Sequence, residues 1–384
     1  MSWDSIIGQS RIKQVLRSAV ASNRLAHAYL FSGAAGTGKS AMAIELAKVI
    51  NCEQSGPDAC GRCSSCLKMQ SLQHPNLHLV FPLPVGKNEK YGDDPYVKLS
   101  DDDIASIQEE LRLKSENLYH KIFLPKANTI KVNSIRDIRT ESSMSMFDKG
   151  RRVFVVLDAD YLADEGANAL LKTLEEPHDD TMLILTTSSP DSLLPTIISR
   201  CQHVRFGPLA DGDVADALKQ RESLPAEKAK LVAKCANGSY SRALDLKDAE
   251  LGERYDEAVS FLRSALYRPP HELLNEIDTL VAERERNEIA GALTLLESWL
   301  RETMLYGQGI LKKEDVVNAE TMEKFLRHHP AIDYQQSFQK LEYAISLLDK
   351  NVYIPLVLIS LALELRAVIV EQTRDRRSSL SVEA

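Results

Sequence analysis

No apolar run in this sequence is long enough to cross a bilayer. The most apolar late stretch, Ile354 to Leu363, spans ten residues and contains Ser360, and Glu364 and Arg366 follow at once. A spanning helix needs about 20 residues, so a buried helix is the better reading and no membrane partner is expected. A basic excess is also missing: 47 Lys and Arg stand against 55 Asp and Glu, for a net charge of −8. That balance excludes a polycation that coats nucleic acid with its whole surface. Any DNA contact has to come from a local basic face or from partner proteins. The start, Met1-Ser2-Trp3-Asp4, lacks a basic segment followed by an apolar one, so no secretory signal is expected. A cytoplasmic location with reduced cysteines is expected instead. There are no internal repeats, and strand-like runs stop after Pro208.

With 384 residues, 44% of them hydrophobic and 27% charged, the chain is expected to form about two or three globular domains. Residues 1 to 208 alternate strand and helix patterns. Ala28 to Phe31 reads as a short strand, Lys39 to Ile50 as a helix, and Val153 to Leu157 and Met182 to Leu185 as buried strands. His203 to Phe206 reads as a shorter one. Ala167, Leu170, Leu171 and Leu174 follow helical spacing. This alternation implies a parallel sheet covered on both faces. Residues 82 to 103, with Pro82, Pro84, Gly86, Gly92, Pro95 and the run Asp101-Asp102-Asp103, break the rhythm. They read as an extended, solvated insertion, with an amphipathic helix over Ile104 to Leu118. Residues 211 to 246 read as a small helical unit. Residues from 251 onward are helical again, with a polar, frayed tail after Gln372.

Gly33-Ala34-Ala35-Gly36-Thr37-Gly38-Lys39-Ser40 matches G-x-x-x-x-G-K-[ST] in full, with a strand before it and a helix after it. In that setting backbone amides and a helix N-terminus cradle phosphates. The lysine reaches the terminal phosphates and the serine hydroxyl faces Mg²⁺. The motif identifies a nucleotide-binding class, with ATP and Mg²⁺ as the expected ligands, and no particular function.

A hydrolysing enzyme of this class carries two acids at the end of a second apolar strand. Here that strand ends Leu157-Asp158-Ala159-Asp160. Counted from the strand, Asp158 is the metal acid and Ala159 takes the place of the catalytic acid. Counted back from Asn168-Ala169-Leu170-Leu171-Lys172-Thr173-Leu174-Glu175-Glu176-Pro177, Asp158 is the second acid and Leu157 has replaced the first. One carboxylate is missing either way. Asp160, two residues along, is expected to point elsewhere. Losing a positioned base costs about 10²- to 10⁴-fold in rate. The alternative, in which Asp158 merely finishes a strand, stays open.

Four of the six cysteines, Cys52, Cys60, Cys63 and Cys66, fall within fifteen residues. In a reducing compartment such crowding points to metal. Four thiolates form a closed tetrahedral site for structural Zn²⁺; an iron–sulfur cluster and free thiols are the alternatives. Cys201 and Cys235 read as small buried hydrophobes.

Ser199-Arg200-Cys201 completes an ordered set: phosphate loop, cysteine cluster in the first helix-to-strand crossover, the Asn168 to Pro177 segment, then Ser-Arg-Cys. That order resembles the bacterial DNA polymerase III clamp-loader ATPases, specifically over residues 3 to 208 and more weakly beyond. The resemblance implies an α/β P-loop AAA+ ATPase domain over 1–208, with a zinc module at 51–70 and an insertion at 82–128. It further implies a helical lid over 209–250 and an all-α collar over 251–384. Arg200 would be an arginine finger acting on a neighbour's ATP, Thr187 the sensor-1 residue, and Ile6-Ile7-Gly8-Gln9 the segment near the adenine. The implied partners are the other loader subunits (delta and gamma/tau), the sliding clamp and primed DNA.

Two subunit types share these motifs. The gamma/tau motor has an intact acid pair and a lid arginine after a Gly-Ser turn. Here the turn reads Gly238-Ser239-Tyr240-Ser241-Arg242, with Ser241 at the arginine position. Both departures resemble the delta-prime stator, which donates a finger and hydrolyses ATP poorly; the complete phosphate loop resembles the motor. An unrelated P-loop protein, such as a repair helicase loader, is the remaining alternative.

Overall fold

The computed structural model describes residues 2–371 except 87–88, 91, 145–149, 179, 248–250, 285, 314–315, 317–318, 331 and 351; the tail expected to fray lies outside the described residues. The chain forms two compact units, Met1–Leu244 and Asp245–Ala384.

The first unit is built on five parallel strands, β1 (Ala28–Ser32), β2 (Leu77–Val80), β3 (Arg152–Val156), β4 (Thr181–Thr187) and β5 (Gln202–Arg205), in the order β2-β3-β4-β1-β5. Its helices are α1 (Ser10–Ala21), α2 (Lys39–Ile50), α3 (Ser64–Gln70), α4 (Asp101–Glu116), α5 (Val132–Ser142), α6 (Asp164–Glu175), α7 (Pro195–Ile198), α8 (Asp211–Glu222), α9 (Ala226–Cys235) and α10 (Tyr240–Leu246). Strand side chains alternate between faces. On one face Leu30, Phe154, Val156, Leu183 and Leu185 pack with Ile135 and Ile138 of α5, Leu170 and Leu174 of α6, and Ile197 of α7. The intervening Val153, Val155 and Ile184 are equally buried, and α2 packs against β3 and β4. Burial on both faces accounts for the continuous apolar runs. Cys235 is buried and Cys201 half-buried against the core, where desolvation pushes its thiol up to about 12.

Two expectations need correction. β2 is a strand that sequence patterning missed; it adds to β3 through the register Leu77 to Val153 and Val80 to Val156. The insertion is not a solvated excursion. Phe81, Leu83, Leu99, Ile107, Tyr119 and Leu124 are buried, and Lys131 forms a buried ion pair with Glu89 at 2.7 Å. Asp101-Asp102-Asp103 is not loop either: it forms the first turn of α4, where acids favour the helix N-terminus. Ser100 and Asp103 close a reciprocal capping box there.

The second unit is helical: α11 (Leu251–Tyr267), α12 (Pro270–Glu283), α13 (Arg286–Gly307), α14 (Ala319–His328), α15 (Tyr334–Asp349) and α16 (Ile354–Arg366). The helix α13 packs against α11 and α15, and α16 against α11, α12 and α15. Trp299, Leu296, Leu300, Leu341, Leu348 and Leu361 are buried within this unit. The apolar stretch from Ile354 is thus a packed helix, and no helix among the described residues is long and apolar enough to cross a membrane.

Candidate nucleotide and metal sites

Parallel strands present their carboxyl ends on one side of a sheet, where ligands of open α/β folds bind. Because β4 lies between β3 and β1, three strand ends converge. Gly33 N–H donates to the Thr187 carbonyl at 3.2 Å, and Asp158 N–H donates to Thr186 Oγ1 at 3.0 Å. The loop Gly33 to Ser40 therefore runs beside Asp158 and Thr187 and leads into the N-terminus of α2, whose first amides lack helical partners. This architecture fits a triphosphate.

Glycine is required within the loop. Gly36 has φ +74°, and a Cβ there would lie 2.0 Å from Ser239 Oγ; Gly38, at φ +95°, would bring one to 2.9 Å from the Tyr119 hydroxyl. The Gly238-Ser239 turn thus sits directly on the loop, and Tyr240 N–H donates to the Gly36 carbonyl at 3.0 Å. Thr37 Oγ1 donates to the Ala34 carbonyl at 2.8 Å. Gln9 Nε2 donates to the Thr37 and Gly207 carbonyls at 3.2 and 2.8 Å, bringing the Ile6 to Gln9 segment against the loop.

The Lys39 ammonium donates to the Gly33 and Ala34 carbonyls at 2.6 and 2.8 Å. Burial lowers its pKa to about 8, opposed by Asp158 and then Asp160. Asp160 does not point away as expected. Asp158 adopts φ +50° and starts a single tight turn, Ala159–Tyr161, a conformation that a short polar side chain tolerates. The turn buries Ala159 completely in the core and brings Asp160 Oδ1 to accept from Thr187 Oγ1 at 2.9 Å. Burial pushes the Asp158 carboxyl upward, against the pull of Lys121, Lys39 and Lys114.

Sequence reasoning missed what the insertion contributes. The fully buried Lys114 of α4 donates to Ser40 Oγ at 2.9 Å and to the Leu118 and His120 carbonyls at 2.7 Å each. Three acceptors saturate its three protons. Desolvation lowers its pKa to about 8, with Asp158 opposing the fall. Tyr119 accepts from Ile7 N–H at 2.8 Å and packs edge-on against Tyr240 at 5.0 Å. Arg221 lies over both rings, 5.8 and 5.7 Å from their centroids. Ser241 Oγ donates to the Tyr119 carbonyl at 2.9 Å. One signal was available. Ile107, Leu111 and Lys114 share the apolar side of α4 by i, i+4, i+7 spacing, so a lysine falls on a face meant for burial.

The four cysteines lie in the α2-to-β2 crossover, with every sulfur within 4.8 Å of the others. Cys52 follows the end of α2. Cys63 caps α3, its sulfur accepting from Cys66 N–H at 3.4 Å. Cys60 and Cys63 N–H donate to the sulfurs of Cys52 and Cys60 at 3.3 and 3.4 Å. Amide donation of this kind stabilises thiolate, and the amides of Arg62 and Cys63 pull the Cys60 thiol down to about 6. The set fits a tetrahedral metal ion of the zinc type. The segment is anchored by Ser65 Oγ on the Asn51 carbonyl at 2.5 Å and by Trp3 Nε1 on the Pro57 carbonyl at 3.0 Å.

Arg200 stands two residues past the end of α7. Its guanidinium pairs with Glu175 at the end of α6 at 2.7 Å, and its Nη1 donates to the Thr196 carbonyl at 3.0 Å.

A family model described as DNA polymerase III, delta subunit, matches residues 8–210. DNA polymerase III subunit delta' of Bacillus subtilis is 32% identical over 264 residues, covering 68% of this chain and 67% of that protein. Subunit delta' of Haemophilus influenzae is 32% identical over 176 residues, 46% of this chain and 41% of that protein. The Bacillus subtilis tau subunit is 29% identical over 265 residues, 67% of this chain and 38% of that longer protein. The matched segment is the one that carries the phosphate loop, cysteine cluster and Ser-Arg-Cys, and the chain belongs to the DNA polymerase III delta subunit family, more similar to the delta' relatives named here than to tau.

Proposed function

We propose that the chain is a non-motor subunit of the polymerase III clamp loader, one that holds a nucleotide without turning it over efficiently and offers Arg200 to a neighbour's ATP. The observation that carries this reading is the strand end after β3. Ala159, where one counting places the catalytic acid, is wholly buried in the core, and the Asp160 carboxylate is engaged by Thr187. An attacking water has Asp158 alone, in a desolvated position that disfavours its charged form. Thr187, as sensor 1, holds Asp160. The Ser40 hydroxyl, which would face Mg²⁺, accepts a proton from Lys114, so an ammonium stands beside the place the ion would take.

In this reading residues 1–208 are the AAA+ domain, 209–250 its lid and 251–384 a collar for assembly. Tyr353, Leu356 and Leu363 on and beside α16 are more than half exposed, an apolar set suited to neighbouring subunits. The four cysteines hold one structural Zn²⁺. Delta and gamma/tau subunits, the sliding clamp and primed DNA are the partners, in the cytoplasm. The complete phosphate loop favours a second reading, a gamma/tau-like motor subunit.

Single-turnover ATP hydrolysis by the isolated chain, run beside equilibrium nucleotide binding, separates the two. The stator reading expects binding with turnover far below about 10 per second, a typical enzyme rate. Turnover at that scale means a motor. Co-purification with a ring-shaped clamp and loader subunits separates both from an unrelated P-loop protein.

A further inference from the structure

The insertion carries a buried cation to the phosphate loop. Lys114 is 2% exposed, and its ammonium is held 2.9 Å from Ser40 Oγ, the oxygen that directly ligates the divalent ion in loops of this class. The charge of Lys121, seven residues on, favours the ionised form of Asp158. The segment between them is fixed. Asn117 caps the turn by accepting from Tyr119 N–H at 3.0 Å. Glu110 Oε2 accepts from Phe123 N–H at 2.8 Å and lies 2.8 Å from His120 Nε2. The loop serine is thus held by an ammonium group, and the strand-end acid faces lysine charge. A divalent ion entering there would have to displace Lys114 from Ser40, or share the oxygen with it and sit against a like charge in a desolvated site, where repulsion is poorly screened.

We propose that Lys114 takes the place of the metal ion in this phosphate loop, so that the site binds a nucleoside triphosphate as the metal-free anion. The inference rests on the nucleotide-binding reading above. The insertion then supplies, as fixed ammonium charge, the neutralisation that a divalent ion otherwise brings to the phosphates. A lysine cannot bridge phosphate oxygens as a metal ion does, which accords with binding in place of hydrolysis.

The test is equilibrium binding of ATP to the full chain, measured by calorimetry with excess Mg²⁺ and again with excess EDTA, for wild type, Lys114→Met and Lys39→Ala. Wild type is expected to bind equally well, within about threefold, in both conditions. Lys114→Met is expected to lose at least about tenfold in EDTA and to recover with Mg²⁺, because Ser40 and Asp158 are then free to receive the ion. Lys39→Ala is expected to bind weakly throughout. Wild-type affinity that falls about tenfold or more in EDTA overturns the inference while leaving the nucleotide reading intact. A Lys114→Met chain that binds as wild type does in both conditions reduces Lys114 to a structural clip and overturns it too. Absence of wild-type binding in both conditions, with Lys39→Ala indistinguishable, overturns the nucleotide reading itself. Should the Met variant fail to fold, judged by circular dichroism, the wild-type comparison decides alone.

Discussion

The guanidinium of Arg200 lies 2.7 Å from the Glu175 carboxylate, which joins the end of α6 to the turn after α7. Both side chains are about one third to one half exposed, so the pair is well screened by water. Exposed pairs contribute about 0 to 1 kcal/mol. Arg200→Ala and Glu175→Gln are each expected to shift the unfolding free energy of the isolated chain by no more than about 1 kcal/mol. Urea denaturation checks this. A substantially larger loss would make Arg200 a structural residue.

Restoring an acid pair by Ala159→Glu is expected to fail. Counted on the sequence, that substitution repairs the motif. In the fold, Ala159 is packed with Phe154, Ile130 and Leu170 in the core, and an uncompensated buried charge costs about 3 to 5 kcal/mol. The variant is expected to melt well below wild type, with no rise in single-turnover hydrolysis. Leu157→Asp with Asp158→Glu faces a similar obstacle, since Leu157 is only 6% exposed. A stable Ala159→Glu chain that hydrolyses ATP faster would show that the strand end rearranges.

How much of this was legible depended on what each residue's neighbours supply. The phosphate loop dictates strand, turn and helix in sequence, so β1 and α2 were read nearly to their ends. Strands β3 and β4 announce themselves because both faces are covered. The four residues of β2, with His78 among them, carry too little pattern alone and become a strand by pairing with β3. The three aspartates before Ile104 look like loop composition until Ser100 is recognised as the cap they follow. Lys114 stood on the apolar side of its helix, yet spacing along α4 does not reveal that the helix end meets Ser40. The turn that buries Ala159 and returns Asp160 toward Thr187 depends on one left-handed residue, Asp158, which sequence does not specify.

Metal analysis of protein purified without chelator is expected to give about one zinc per chain and no iron, as a closed four-thiolate site requires. Removing the metal should loosen the crossover between α2 and β2, since a structural site's binding energy is folding energy. Cys66→Ser, at a fully buried sulfur, is expected to lower both zinc content and melting temperature. Zinc below about 0.2 equivalents, with no iron, counts against the assignment.

Gly36→Ala is expected to destabilise the loop, because φ is +74° and the new Cβ would lie 2.0 Å from Ser239 Oγ and 3.0 Å from Ser241 N. Strained positions of this kind cost about 1 to 3 kcal/mol. The melting temperature of Gly36→Ala should fall, and its ATP affinity with it. Unchanged stability would mean that the Ser239 turn does not rest on the loop in solution.

In the assembled loader this chain is proposed to act at a neighbour's ATP site. An arginine set against the γ-phosphate contributes about 10³- to 10⁵-fold to phosphoryl transfer. The deciding experiment measures ATPase and clamp-loading activity of the reconstituted complex, with clamp and primed DNA present, for wild type and Arg200→Ala. Hydrolysis at the one interface that Arg200 completes should be sharply reduced. Total turnover should then fall in part, and clamp loading should fall further. Equal rates for the two proteins in both assays would mean that Arg200 is no arginine finger.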